Sequence, residues 1–99
     1  AENVAREDGI TREDQDAYAL RSHQRAVRAV EDGVFAHETV PVTVPARRGE
    51  PAVVDRDQGP RPDTSLAALA ALQPAFDPAG TVTAGSSSGI NDGAAATVV

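Results

Sequence analysis

Thr11-Arg12-Glu13-Asp14-Gln15-Asp16-Ala17-Tyr18-Ala19-Leu20, running on to Asp32-Gly33, is the stretch from which the rest of the chain is read. Thr11 and Asp14 have the spacing of a capping box. The Thr hydroxyl can accept the Asp14 amide, and the Asp14 carboxylate can reach back to the start of the helix. Glu13, Asp14 and Asp16 crowd the first turn, where the helix dipole is positive, and Arg25 and Arg28 lie toward the negative end. Ala17, Leu20, Val27 and Val30 fall near one face. Gly33 is a natural stop just past the last turn. The spacing predicts a helix over residues 12–32.

Working outward, residues 1–7 are helix-compatible, with Glu2 and Arg6 paired at i,i+4, and Asp8-Gly9 ends them. Downstream, Val40, Val42 and Val44 alternate with the period of a strand. Pro41 and Pro45 have no N–H to give a ladder, which places that strand at an edge. Arg47-Arg48-Gly49 makes a polar turn, and Ala52-Val53-Val54-Asp55 returns, giving a hairpin. Gly59-Pro60-Arg61-Pro62 is irregular, since each Pro drives its predecessor out of the helical region. Asp63 or Thr64 can cap a short helix over residues 65–72, with Leu66, Leu69 and Leu72 on one face and Pro74 as its end. Thr81-Val82-Thr83 reads as a brief extended piece. Residues 94–99 read as the start of a buried strand. There is no internal repeat.

Composition bounds the function. The 99 residues make at most one domain. Of 40 apolar residues, 19 are Ala and 12 are Val, leaving four Leu, two Ile, two Phe and one Tyr. Such a set is a poor source of a self-sufficient core. No stretch is apolar enough for a membrane span, and no basic-then-apolar leader is legible. With no Cys, disulfides, thiolate metal ligands and a Cys nucleophile are absent from these residues. The net charge of −6 argues against nucleic acid as a partner. There is no Met, the sequence is helix-like from Ala1, and it finishes on Ala-Thr-Val-Val. A fragment of a longer protein is therefore the expectation.

Chemistry-bearing residues are few. His23 and His37 lack partners at metal-ligand spacing and read as solvated or locally hydrogen-bonded side chains; no metal site is expected. The acidic run at residues 13–16 is explained by its place at a helix start. Arg21, Arg25 and Arg28, at i, i+4 and i+7, read as an exposed face. The small residues of Gly85-Ser86-Ser87-Ser88-Gly89 suit either a linker or a loop whose backbone something approaches closely.

Several blocks of this sequence carry a resemblance. They are Ala1-Glu2-Asn3-Val4-Ala5-Arg6, then Arg12-Glu13-Asp14-Gln15-Asp16-Ala17-Tyr18-Ala19 with Ser22-His23, then Val54-Asp55-Arg56-Asp57 leading to Arg61-Pro62-Asp63-Thr64. The most specific is Pro74-Ala75-Phe76 through Gly80-Thr81-Val82-Thr83-Ala84-Gly85, followed by Ser88-Gly89-Ile90-Asn91-Asp92-Gly93-Ala94-Ala95-Ala96. In this order they resemble the thiolases, the acetyl-CoA acetyltransferases, through nearly the whole chain. The resemblance implies an α+β fragment, helices plus an edge hairpin, of an α/β thiolase-like fold. Residues 1–88 would be most of the loop domain that covers coenzyme A, and residues 89–99 the return into the N-terminal thiolase half.

The resemblance also implies roles. Arg61 would pack its guanidinium on the adenine of coenzyme A, a sensible contact for a planar cation. Leu72, Phe76 and Ala84 would line the path of the pantetheine and adenine, and Ser88 would hydrogen-bond the pantetheine arm. Three positions depart from the family pattern. Ser86-Ser87 stand where Asn-Ala is frequent, Ala68 where some members carry Ser, and Gln73 where Arg is frequent. Thiolase chemistry needs a nucleophilic Cys, a His that activates it and a second Cys that moves the proton. None of those motifs is in this chain, so no catalytic residue is assigned here. The implied parent transfers acyl groups between coenzyme A thioesters, of the acetoacetyl-CoA or 3-ketoacyl-CoA type, with no other cofactor. Its implied partners are acyl-CoA, the remainder of the thiolase chain and further copies in a tetramer, with no membrane, in the cytoplasm. The competing readings are a stand-alone acidic interaction module and a degenerate thiolase-like protein without catalysis.

Overall fold

Thr11 caps the long helix as its spacing predicts. Its hydroxyl accepts the Asp14 N–H at 3.1 Å, and its own N–H donates to the Asp14 carboxylate at 3.3 Å. A computed structural model of the chain describes all residues, 1–99. The elements are α1 Glu2–Glu7, α2 Arg12–Glu31, β1 Val42–Val44, β2 Ala52–Val54 and α3 Leu66–Ala70. Gly9, at φ 64, turns the chain between α1 and α2, and Gly33, at φ 67, follows the end of α2.

The face that α2 turns inward differs from the aliphatic stripe expected. Asp16 and Ala19 are its buried residues, Leu20, Val27 and Val30 are half-buried, and Ala17 is exposed. The polar Arg12 and Asp16 set the orientation of the helix, because their hydrogen bonds are made on that side.

β1 and β2 form the expected hairpin, paired antiparallel with Val42 opposite Val54, Thr43 opposite Val53 and Val44 opposite Ala52. It is shorter than the valine alternation, because Pro41 has no N–H and Val40 stays outside the ladder. It is a two-stranded sheet, and all six strand residues are exposed.

α3 is also shorter than expected, and its cap is Ser65 rather than Asp63 or Thr64. The Ser65 hydroxyl accepts the Ala68 N–H at 3.1 Å. Of the three leucines, Leu69 is buried, whereas Leu66 is 51% and Leu72 36% exposed. A three-residue spacing drifts about 60° per step around a helix of 3.6 residues per turn, so one position can face inward while its neighbours flank it.

Residues 81–83 cross beside α3 in extended form. Pro74 and Thr83 make an antiparallel bridge, and the Ala75 N–H donates to the Val82 carbonyl at 2.9 Å. The buried set is Asp16, Ala19, Leu69, Val82 and Thr83. The radius of gyration, 17.2 Å, is well above the ~13 Å of a compact domain this long. The small apolar inventory therefore makes one small core and leaves the rest spread out. The buried strand expected over residues 94–99 does not form: these residues are exposed and without regular structure. No neighbouring strand of this chain lies beside them, and an unpaired strand has nowhere to place its backbone hydrogen bonds.

Candidate functional site

Three polar side chains fix the backbone around the candidate site. The Arg12 guanidinium donates from Nη2 to the carbonyls of Leu69 at 2.7 Å and Leu72 at 3.0 Å. It donates from Nε to Asp16 Oδ2 at 2.9 Å. It thus ties α2 to two carbonyls at and just beyond the end of α3, where the Leu69 carbonyl also accepts the Leu72 N–H at 3.0 Å. The Glu2 carboxylate accepts the N–H groups of Val82 at 2.8 Å and Thr81 at 3.1 Å. Those two bonds, Val82 first, hold the Glu2 carboxyl below the usual carboxylate range. Gln15 donates from its side-chain amide to Thr81 Oγ1 at 2.9 Å.

The small residues that follow are used for packing. A Cβ on Gly80 would fall on the Glu2 carboxylate, and one on Gly85 would fall on the Leu69 and Leu72 side chains. At Gly85 the chain's own leucines approach the backbone. Thr83 and Ser86 close this turn, with the Thr83 N–H donating to Ser86 Oγ at 3.0 Å.

The expected site residues divide between two surfaces. Ser88, with Ser86 and Ser87, lines a cleft of about 790 Å³ walled by Val4, Ile10, Ala19, His23 and Val82. Ser88 also meets Phe76 in a neighbouring depression of about 580 Å³, beside Ala1–Asn3. Phe76 is 72% exposed. Leu72 lies against Gly85, and Ala84 is exposed on the adjoining turn. Arg61 lines a separate cleft of about 610 Å³ with Arg21, Arg25 and Arg28. The structure thus brings Ser88 and Phe76 together and puts Arg61 on the next cleft along α2.

His23 links the two surfaces, and sequence reading missed it. Its ring lines the larger cleft, while its Nδ1 accepts the Arg61 N–H at 3.1 Å. An imidazole nitrogen accepts only when unprotonated, so this bond places the ring proton on Nε2. The contact spans 38 residues of sequence, and no local spacing signals it. No group of three His, Cys, Asp or Glu side chains lies close enough to ligate a metal. No cysteine is present, and the His23 Nδ1 is already engaged by a backbone amide.

The chain matches the family described as "Thiolase, N-terminal domain" over residues 1–99. It is 54% identical over 99 residues to an acetyl-CoA acetyltransferase of Thiocystis violacea, covering 100% of this chain and 25% of that protein. It is 58% identical to a beta-ketoadipyl-CoA thiolase of Pseudomonas aeruginosa, covering 24% of it. The crystal structure of the Bacillus anthracis acetyl-CoA acetyltransferase superimposes with a TM-score of 0.86 at 47% identity. That match covers 92% of this chain and 23% of the other. The chain spans about a quarter of the length of these relatives. It belongs to the thiolase N-terminal domain family, which favours the thiolase reading over a stand-alone acidic module.

Proposed function

We propose that this member of the thiolase family is the coenzyme A-holding part of an acyltransferase that moves acyl groups between coenzyme A thioesters. The observation that carries the reading is the match of the entire chain, at 54–58% identity, to proteins named acetyl-CoA acetyltransferase and beta-ketoadipyl-CoA thiolase. Residues 1–88 act as the loop domain over the substrate, and residues 89–99 lead back into the N-terminal half. The catalytic Cys and His come from the rest of the protein, which assembles as a tetramer. Its thiolate chemistry suits a reducing compartment such as the cytoplasm.

In this reading Arg61 stacks on the adenine. Its backbone is held twice, by Pro60 and Pro62 through their fixed φ and by His23 through the 3.1 Å hydrogen bond. Ser88 bonds the pantetheine arm, with Phe76, Leu72 and Ala84 along its path. No other cofactor is required, since coenzyme A is carried by the substrates.

The test is steady-state kinetics of Arg61→Ala and Ser88→Ala in the full-length protein, with acetyl-CoA and with a truncated pantetheine thioester. A cation–π contact is worth about 0.5–2 kcal/mol, so Arg61→Ala should raise KM for acetyl-CoA roughly 2- to 30-fold with little loss of kcat. On the truncated substrate it should be nearly silent, whereas Ser88→Ala should impair both. Equal damage by Arg61→Ala to both substrates would make Arg61 structural.

A further inference from the structure

The cleft that contains Arg61 has a charge unlike the rest of the molecule. Arg21, Arg25 and Arg28 occupy one wall, as their i, i+4, i+7 spacing on α2 requires. Arg61, Pro62 and Thr64 occupy the other, brought there by the loop that His23 pins. Four arginines against the single acidic residue Glu31 give a formal charge of +3, on a chain whose total is −6. None of these guanidinium groups is ion-paired, since the ion pair of this chain is Arg12 with Asp16. Arg21 lies over the Tyr18 ring, 5.3 Å from its centroid. Clustered unpaired cations repel one another, and a phosphate dianion among them converts that repulsion into attraction. The guanidinium fork matches phosphate oxygens two at a time.

The order of groups along α2 selects which phosphate. The Ser88 cleft takes in α2 residues 14–23, and the arginine cleft residues 21–31. Arg28 lies five residues beyond His23, about 7.5 Å along the helix axis. A ligand with its pantetheine arm at Ser88 and its adenine at Arg61 therefore directs its far end along this axis into the arginine cleft. In coenzyme A the diphosphate lies between the pantetheine and the adenosine, and the phosphate at the adenosine end is the one on the 3′ oxygen of the ribose that carries the base.

We propose that Arg25 and Arg28, with Arg21 beside them, bind the 3′-phosphate of coenzyme A, so that the protein distinguishes coenzyme A from its 3′-dephospho form. The proposal rests on the coenzyme A reading above.

The experiment is calorimetric titration of the full-length protein with coenzyme A, 3′-dephospho-coenzyme A and adenosine 3′,5′-bisphosphate. The wild type should bind coenzyme A about tenfold more tightly than the dephospho form, with the difference shrinking as salt rises. Arg25→Gln/Arg28→Gln should abolish that preference, and Arg28→Gln alone should reduce it. Arg47→Gln/Arg48→Gln, the same charge change at the hairpin turn, should leave it intact. Each preference is a ratio within one protein, so a general loss of stability cancels. Equal binding of both coenzymes by the wild type, or a preference that survives the Arg25/Arg28 double variant, overturns the proposal while leaving the coenzyme A reading in place. Absence of binding to either coenzyme overturns both.

Discussion

Around α2, α3 and residues 80–86, side chains of Glu2, Arg12 and Gln15 close on groups as many as 80 residues away. The β1–β2 hairpin, in contrast, keeps every strand residue in solvent, with its register set by its own ladder. Both regions come from a chain in which Ala is the commonest apolar residue. The first region compensates with charge-assisted bonds to backbone groups, which are directional and roughly twice as strong as neutral ones. The second has a local structure but nothing in this chain that fixes its position. The candidate coenzyme A site is built on the first.

The contrast breaks most readily at Arg12. Arg12→Ala removes two bonds to carbonyls of residues 69 and 72 and leaves the buried Asp16 carboxylate without its partner. We expect a loss of about 3 kcal/mol in the full-length protein, read from the urea midpoint. Gly85→Ala pushes a methyl group into Leu69 and Leu72 and should lower stability by about 1–3 kcal/mol in the same titration.

Acid should act on the clasped region at Glu2. Its carboxyl titrates below the usual range when folded, because Val82 and Thr81 donate to the anion. Its contribution is therefore complete above the unfolded pKa and is lost as pH falls through the lowered folded value. Melting curves from about pH 7 to about pH 3 should show the gap between wild type and Glu2→Gln closing at the acid end. A gap that is constant with pH would mean that the charge of Glu2 contributes nothing. The smallest effect belongs to the hairpin: Val42→Thr, at a residue 59% exposed, should change stability by no more than about 0.5 kcal/mol.

The same contrast explains what could be read from the sequence. The Thr11–Asp14 cap, the hairpin and the short α3 are local, and their signals lie within a few residues of the structures they specify. Ala17 is exposed while Asp16, bonded to Arg12, is buried on the inner side of α2, and Leu66 and Leu72 flank the buried Leu69 because a three-residue spacing drifts about 60° per step around the helix. The strand expected over residues 94–99 failed because a ladder needs a partner strand, which periodicity does not report. His23 beneath Arg61, Glu2 on Val82 and the meeting of Arg61 with Arg21, Arg25 and Arg28 are all non-local. A resemblance could name Arg61 and Ser88, but only the folded chain puts His23 between them.

Hydrogen exchange of the full-length protein with and without coenzyme A tests most directly whether the ligand is held by the clasped region rather than the hairpin. Added coenzyme A should slow exchange at the Arg61 amide, bonded to His23, and at Ser86–Ser88, with exchange in Val42–Val44 and Ala52–Val54 unchanged. Protection that appears in the hairpin while Arg61 and Ser88 exchange as before would contradict the account.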